Sequence, residues 1–202
     1  MLTIKNKNTI LLWAAQMISH AGDAIYQLAL LWLVLDITSS SMITGLVAMS
    51  AYLPAILFGL YAGVIADKYN RLKLMIFAHG SQALTVMVIP IMLFFGLKHI
   101  ILLGLAAFLR NSFCALYPPA FNAFVAENYP KNQLVKVNSI LTTSGYLAFL
   151  LGPALAGILL GILSLESLFI VDSISFLMAI LFLLMITFPK SRPISKNTYA
   201  TF

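Results

Sequence analysis

Six long apolar runs alternate with short polar breaks along the chain, at residues 10–35, 42–66, 72–97, 100–121, 138–162 and 168–188. Each is long enough for a helix to cross a hydrocarbon core, which takes about 20 residues at a rise of about 1.5 Å per residue. The pattern predicts an all-α polytopic membrane protein: one domain over residues 1–202, with residues 189–202 as a polar tail. The first run also admits a signal-peptide reading, with a basic start and Ser19-His20-Ala21 as a cleavage site. Hydrophobicity resumes after Asp23 and continues to Leu35, so we take it as an uncleaved first helix.

The polar breaks fall into two kinds. Asp36–Ser41, Lys98-His99 and Ser164-Leu165-Glu166 are short and hold one basic residue, Lys98, between them. The other breaks and the two ends are basic. Ten of the twelve Lys and Arg residues lie there: Lys5, Lys7, Lys68, Arg71, Lys73, Lys131, Lys136, Lys190, Arg192 and Lys196. Arg110 lies within the fourth run. Because basic loops stay inside, this asymmetry predicts both termini in the cytoplasm and a multi-pass protein of the cytoplasmic membrane. The longest hydrophilic stretch, Asn122–Val137 with Glu127, reads as a cytoplasmic loop carrying an interfacial helix.

Composition agrees. The chain is 61% hydrophobic and 9% charged, against about a quarter charged in soluble domains. Its net charge of +6 would point to nucleic acid in a soluble protein; here topology accounts for the charge and no nucleic-acid partner is expected. A single cysteine, Cys114, excludes an internal disulfide and a cysteine-based metal site.

The second and fifth runs share a design. Pro54 precedes Gly59 and Gly63; Gly152-Pro153 precedes Gly157 and Gly161. Glycines four apart let helices approach closely in lipid, and the recurrence predicts two three-helix repeats. Ionisable groups inside the runs are the candidate chemistry. Asp23 lies deep in the first helix, where it could bind a proton or a cationic substrate, or serve packing beside Gly22. Arg110 stays charged and needs an anion, carbonyls or water. The two lie at similar depth, so either a static ion pair or a proton relay would fit. Asp172 in the sixth run is read as an interfacial cap, and His20 and His79 have no metal-ligand spacing to any partner. No phosphate loop, nucleophile elbow or zinc motif is present, so neither an enzyme nor a cofactor is expected.

The stretch Gly63-Val-Ile-Ala-Asp67-Lys68-Tyr69-Asn70-Arg71-Leu72-Lys73 resembles the loop between the second and third helices of major facilitator superfamily transporters. Asn70 stands where that family usually has Gly; Asn tolerates a left-handed backbone better than most residues. Gly22-Asp23, the stretch from Pro118-Pro119-Ala120-Phe121 to Pro130, Gly152-Pro153-Ala154-Leu155-Ala156-Gly157 and Asp172-Ser173-Ile174-Ser175-Phe176 are similar to its bacterial macrolide- and drug-efflux-like and siderophore-exporter-like branch. The resemblance covers nearly the whole chain, as the amino-terminal six-helix half of such a transporter.

The resemblance implies two inverted three-helix repeats and a cytoplasmic gate of Gly63, Asp67, Lys68, Arg71, Lys73 and Glu127. In that gate Arg71 would pair with Glu127, and Asp67 would face a helix start in a second half. It also associates an arginine at the position of Arg110 with proton coupling; the Gln-Gly that often follows is replaced by Phe113 and Cys114. The expected function is secondary active transport by alternating access, as proton-coupled efflux of a small, partly hydrophobic molecule. Uptake of a small solute is an alternative, and so is a non-transporting truncated or partner subunit. A second six-helix half, from another copy or a separate chain, is the expected partner beside the lipid bilayer.

Overall fold

A computed structural model describes residues 7–187. Its helices are α1 (Lys7–Thr38), α2 (Ser41–Ser50), α3 (Leu53–Lys68), α4 (Arg71–Phe94), α5 (Ile100–Cys114), α6 (Tyr117–Asn128), α7 (Lys131–Leu160) and α8 (Leu165–Leu184). Among the described residues the structure is helix and turn, without strands. With α2–α3 and α5–α6 each taken as one broken span, six helices among the described residues are long and apolar enough to cross a membrane. The tail at residues 189–202 lies outside the described residues, as do Phe188, Lys5, Lys190, Arg192 and Lys196.

Local chemistry explains where the helices start and break. Ser40 caps α2 by accepting from the Ile43 amide at 3.4 Å, and Asn70 caps α4 by accepting from the Lys73 amide at 3.0 Å. Asn70 has φ −62°, so the expected left-handed turn is absent; its use is the cap that frees no amide. Prolines sit in the first turns of α3 (Pro54) and α6 (Pro118), where their missing N–H costs nothing. The chain breaks just before each, at residues 51–52 and 115–116. Pro90 and Pro153 instead lie within α4 and α7.

The hydrophilic stretch 122–137 holds no separate interfacial helix. It is divided between the end of α6 and the start of α7, joined by the turn at Tyr129-Pro130. Apolarity marks where hydrocarbon ends, whereas the backbone keeps its helical bonds out into the polar interface.

The packing repeats every three spans. The first span packs on the sixth and fifth, the fourth on the third and second, and the third on the sixth. Exchanging spans one to three with four to six maps this network onto itself. A shift of three crossings reverses chain direction, so the two repeats are inverted.

Buried apolar side chains form two clusters. One gathers Leu12, Ala15, Met75, Ala78, Ala120, Phe124, Leu141 and Leu183; the other gathers Tyr26, Ala29, Val34, Val86, Ile89, Leu103, Phe169 and Phe176. Fully buried Ala15, Ala29, Ala78, Ala107, Ala156 and Ala179 stand at helix contacts, as expected where lipid supplies no hydrophobic drive and close backbone approach must hold helices together. Between the clusters the buried face of α1 carries Gln16, Ser19 and Gly22, and beside it α8 sets Asp172, Ser173 and Ser175 between Phe169 and Phe176 of the second cluster.

Candidate functional site

Asp23, Arg110 and Asp172 occupy that polar level on α1, α5 and α8. The Arg110 guanidinium donates to the Asp23 carboxylate and lies 3.6 Å from Asp172 Oδ2. Its carbon sits 4.1 Å from the Tyr26 ring centroid and 5.5 Å from that of Phe176. The cation is thus held by two carboxylates and two aromatic faces, which offset what an unpaired charge would cost, about 2.5–3.5 kcal/mol near a helix centre. Asp172 is fully buried, whereas the Asp23 side chain is 30% exposed.

The first and last of these groups are brought together by small residues. A Cβ on Gly22 would meet Ser175 Oγ and lie 2.6 Å from Asp172 Oδ1; only glycine lets α1 lie this close to α8. Ser175 Oγ stands 3.5 Å from Asp172 Oδ1 and donates to the Asp172 carbonyl at 2.7 Å.

The reading of Asp172 as an interfacial cap is therefore corrected: it is a buried member of the charged cluster. Asp172, Ser173 and Ser175 are buried on α8 together with Phe176 and Ala179.

His20 extends the cluster, with Nδ1 3.5 Å from Asp23 Oδ2. It also lines a groove of about 600 Å³ between α1, α6 and α7, together with Gln16, Tyr117, Asn122, Thr142 and Tyr146. Deeper in, His79 of α4 is buried between the rings of Tyr117 (4.4 Å) and Phe176 (5.3 Å). No group of three or more His, Cys, Asp or Glu suited to a metal ion occurs among the described residues. Cys114 is unpaired and half-buried.

A second charged locus lies at the start of α4. Arg71 Nε stands 3.7 Å from Glu127 Oε2, linking the start of α4 to the end of α6. Asp67, Lys68 and Lys73 are exposed at the adjoining helix ends.

The glycines divide sharply. Gly152 touches Ala24 so closely that a Cβ there would collide with the alanine side chain. Gly59, Gly63 and Gly157 have open space where a Cβ would go, and Gly161 faces only the backbone of its own helix. Within this chain those four bring no helices together. Pro54 is buried and Pro153 exposed.

Six membrane-length helices in two inverted repeats, with a charged cluster buried at mid-span, define one half of a membrane transporter fold. The chain belongs to the major facilitator superfamily: residues 3–197 match the family described as transmembrane secretion effector. It is 26% identical over 179 residues to macrolide efflux protein A of Streptococcus pyogenes, covering 89% of this chain and 44% of the relative. Similarity to the staphyloferrin A transporter of Staphylococcus aureus is 25% identity over 85% of this chain and 43% of the relative. For the multidrug efflux pump Tap of Mycolicibacterium fortuitum it is 26% over 81% and 41%. The chain spans less than half the length of these relatives.

Proposed function

We propose that these six helices form the amino-terminal half of a proton-coupled efflux transporter for small, partly hydrophobic molecules, working in the cytoplasmic membrane with both termini inside. The observation that carries the reading is the Asp23–Arg110 pair, joined across spans 87 residues apart and reaching, through His20, a groove whose apolar walls are Pro118, Phe121, Leu141 and Phe149. A carboxylate that can swap a proton for an ion pair couples proton binding to helix position. The efflux-named relatives support export rather than uptake as the direction.

A second six-helix half supplies the remaining wall of the substrate path. Its support is the unpartnered surface of the second and fifth spans: Leu60, Tyr61, Tyr146 and Phe149 are 70–87% exposed, and Gly59, Gly63 and Gly157 face open space beside them. In the same reading Arg71–Glu127 is a gate contact that forms and breaks during the cycle, and Asp67 faces the start of a helix in the second half, where the dipole favours an anion.

The test is accumulation of fluorescent, partly hydrophobic dyes in cells making the protein that carries this chain, with and without a protonophore. Wild type should lower accumulation, and the protonophore should restore it. Asp23→Asn should reach the membrane at normal levels yet lose the effect. Export by wild type that ignores the protonophore would refute proton coupling, and no export across the dye panel would refute the transport reading.

A further inference from the structure

The cluster has two carboxylates for one guanidinium, and the two are not alike. Asp172 is sealed among α1, α4 and α8, with Ser175 beside it and Gly22 pressed against it. Asp23 is partly exposed and adjoins His20, which lines the groove. The other titratable groups near this centre are Tyr26 on α1, His79 on α4, Cys114 on α5 and Tyr117 on α6. On α7, Ser144 bonds Gln16 and Gly145 adjoins His20, while its charged residues, Lys131 and Lys136, stand in the first two turns.

With all three charges ionised the cluster carries one negative charge in excess, in surroundings that disfavour net charge. One proton removes the excess. A proton can reach Asp23 from the groove, whereas Asp172 is closed off by packing.

We infer that Asp172 is the fixed counter-ion of Arg110 and Asp23 the exchanging one. This division of labour rests on the proton-coupled reading above. When Asp23 takes a proton, Arg110 stays neutralised by Asp172, 3.6 Å away, and α1 is released from the guanidinium while α8 remains attached. When Asp23 gives the proton back, it competes with Asp172 for Arg110 and draws α1 back toward α5. Asp172 is thus a positioning residue: it keeps the arginine tolerable in the membrane during the half-cycle in which its first partner is neutral.

The experiment needs no transported substrate. The full protein carrying this chain is purified in mild detergent and treated with dicyclohexylcarbodiimide, which reacts with protonated carboxyls in apolar surroundings, across a pH series. Labelling of each aspartate is mapped by mass spectrometry. In wild type, Asp23 should be labelled with a clear pH midpoint and Asp172 at least about tenfold less. In Asp172→Asn, Arg110 serves Asp23 alone and the like charge is gone, so the Asp23 midpoint should move about one pH unit or more toward acid.

A merely structural Asp172 would leave the midpoint in place, and that result would overturn the inference. Asp172→Ser offers a smaller neutral replacement with the same readout. If neither variant inserts, wild type decides: labelling of Asp172 equal to that of Asp23 overturns the inference, and a large excess at Asp23 supports it. Failure of dye export with this labelling pattern intact would fall on the transport reading alone.

Discussion

Gly22 of α1 lies against Asp172 of α8 with no room for a side chain between them: an added Cβ would stand 2.6 Å from Asp172 Oδ1 and collide with Ser175 Oγ. Gly22→Ala should therefore part the two helices and cost about 1–3 kcal/mol, as other overpacked sites do. Gly104→Ala, which meets open space, is the matched control and should melt like the parent chain in detergent. Equal melting temperatures for the two variants would contradict this packing.

Arg71 and Glu127 hold the start of α4 to the end of α6 with side chains 25% and 17% exposed. Such a pair contributes little to stability, about 0.2–1 kcal/mol in a double-mutant cycle. A gate contact would show a different signature: Arg71→Ala or Glu127→Ala should change export far more than melting. Charge reversal of both residues together should restore part of the export. A loss of export that merely tracks a loss of folded protein would remove the gate role.

Tyr129, in the turn after α6, shares a 3.0 Å hydroxyl contact with Thr9. Burial pushes its phenol above the ordinary value of 10, with the Thr9 hydrogen bond pulling partly the other way. The folded chain keeps this proton where the unfolded chain has lost it. Its contribution to stability is therefore whole below about pH 10 and falls as the pH rises further. Tyr129→Phe should cost about 1 kcal/mol at neutral pH and flatten the alkaline loss, as measured by thermal melting from about pH 8 to 11. A parent and variant with parallel curves would exclude this linkage.

Ser40 and Asn132 flank opposite ends of the spans, before α2 and in the first turn of α7. Single cysteines at these sites, with Cys114 replaced, should react with an impermeant thiol reagent from opposite sides of intact cells, Ser40→Cys from outside. Labelling of both from outside would overturn the assignment of the termini to the cytoplasm.

The spans were legible because length and apolarity are properties of single segments, and so was the three-helix repeat, carried by Pro54 with Gly59 and by Pro153 with Gly157. The meeting of Asp23 with Arg110 could be anticipated from depth alone, since both sit well inside their spans when rise is counted from opposite faces. Asp172 was harder. Its place depends on Gly22, 150 or so residues earlier, permitting a contact that no local pattern announces. The glycine pairs misled in the opposite way: four-residue spacing shows that a helix can approach another, not that a neighbour exists in the same chain. Asn70 was a similar case, where a residue chosen for its side-chain cap looked like one chosen for its backbone.

The bundle joins the first turn of α1 to the last described residue, and this sets a schedule for its making. Asn8 of α1 donates to the Thr187 carbonyl, 179 residues later, and Asp23 finds Arg110 87 residues later. Ribosomes add about 5–20 residues per second, so Asp23 is made some 4–17 s before its cation, and longer still before α8 can cover Gly22. For that interval the first helix must be sheltered by the insertion machinery or carry a neutral, protonated aspartate. In the second case the group proposed to serve the working cycle by taking up a proton does so first as a newborn segment. Variants that slow synthesis between α1 and α5 should expose this dependence as loss of protein to quality-control proteases.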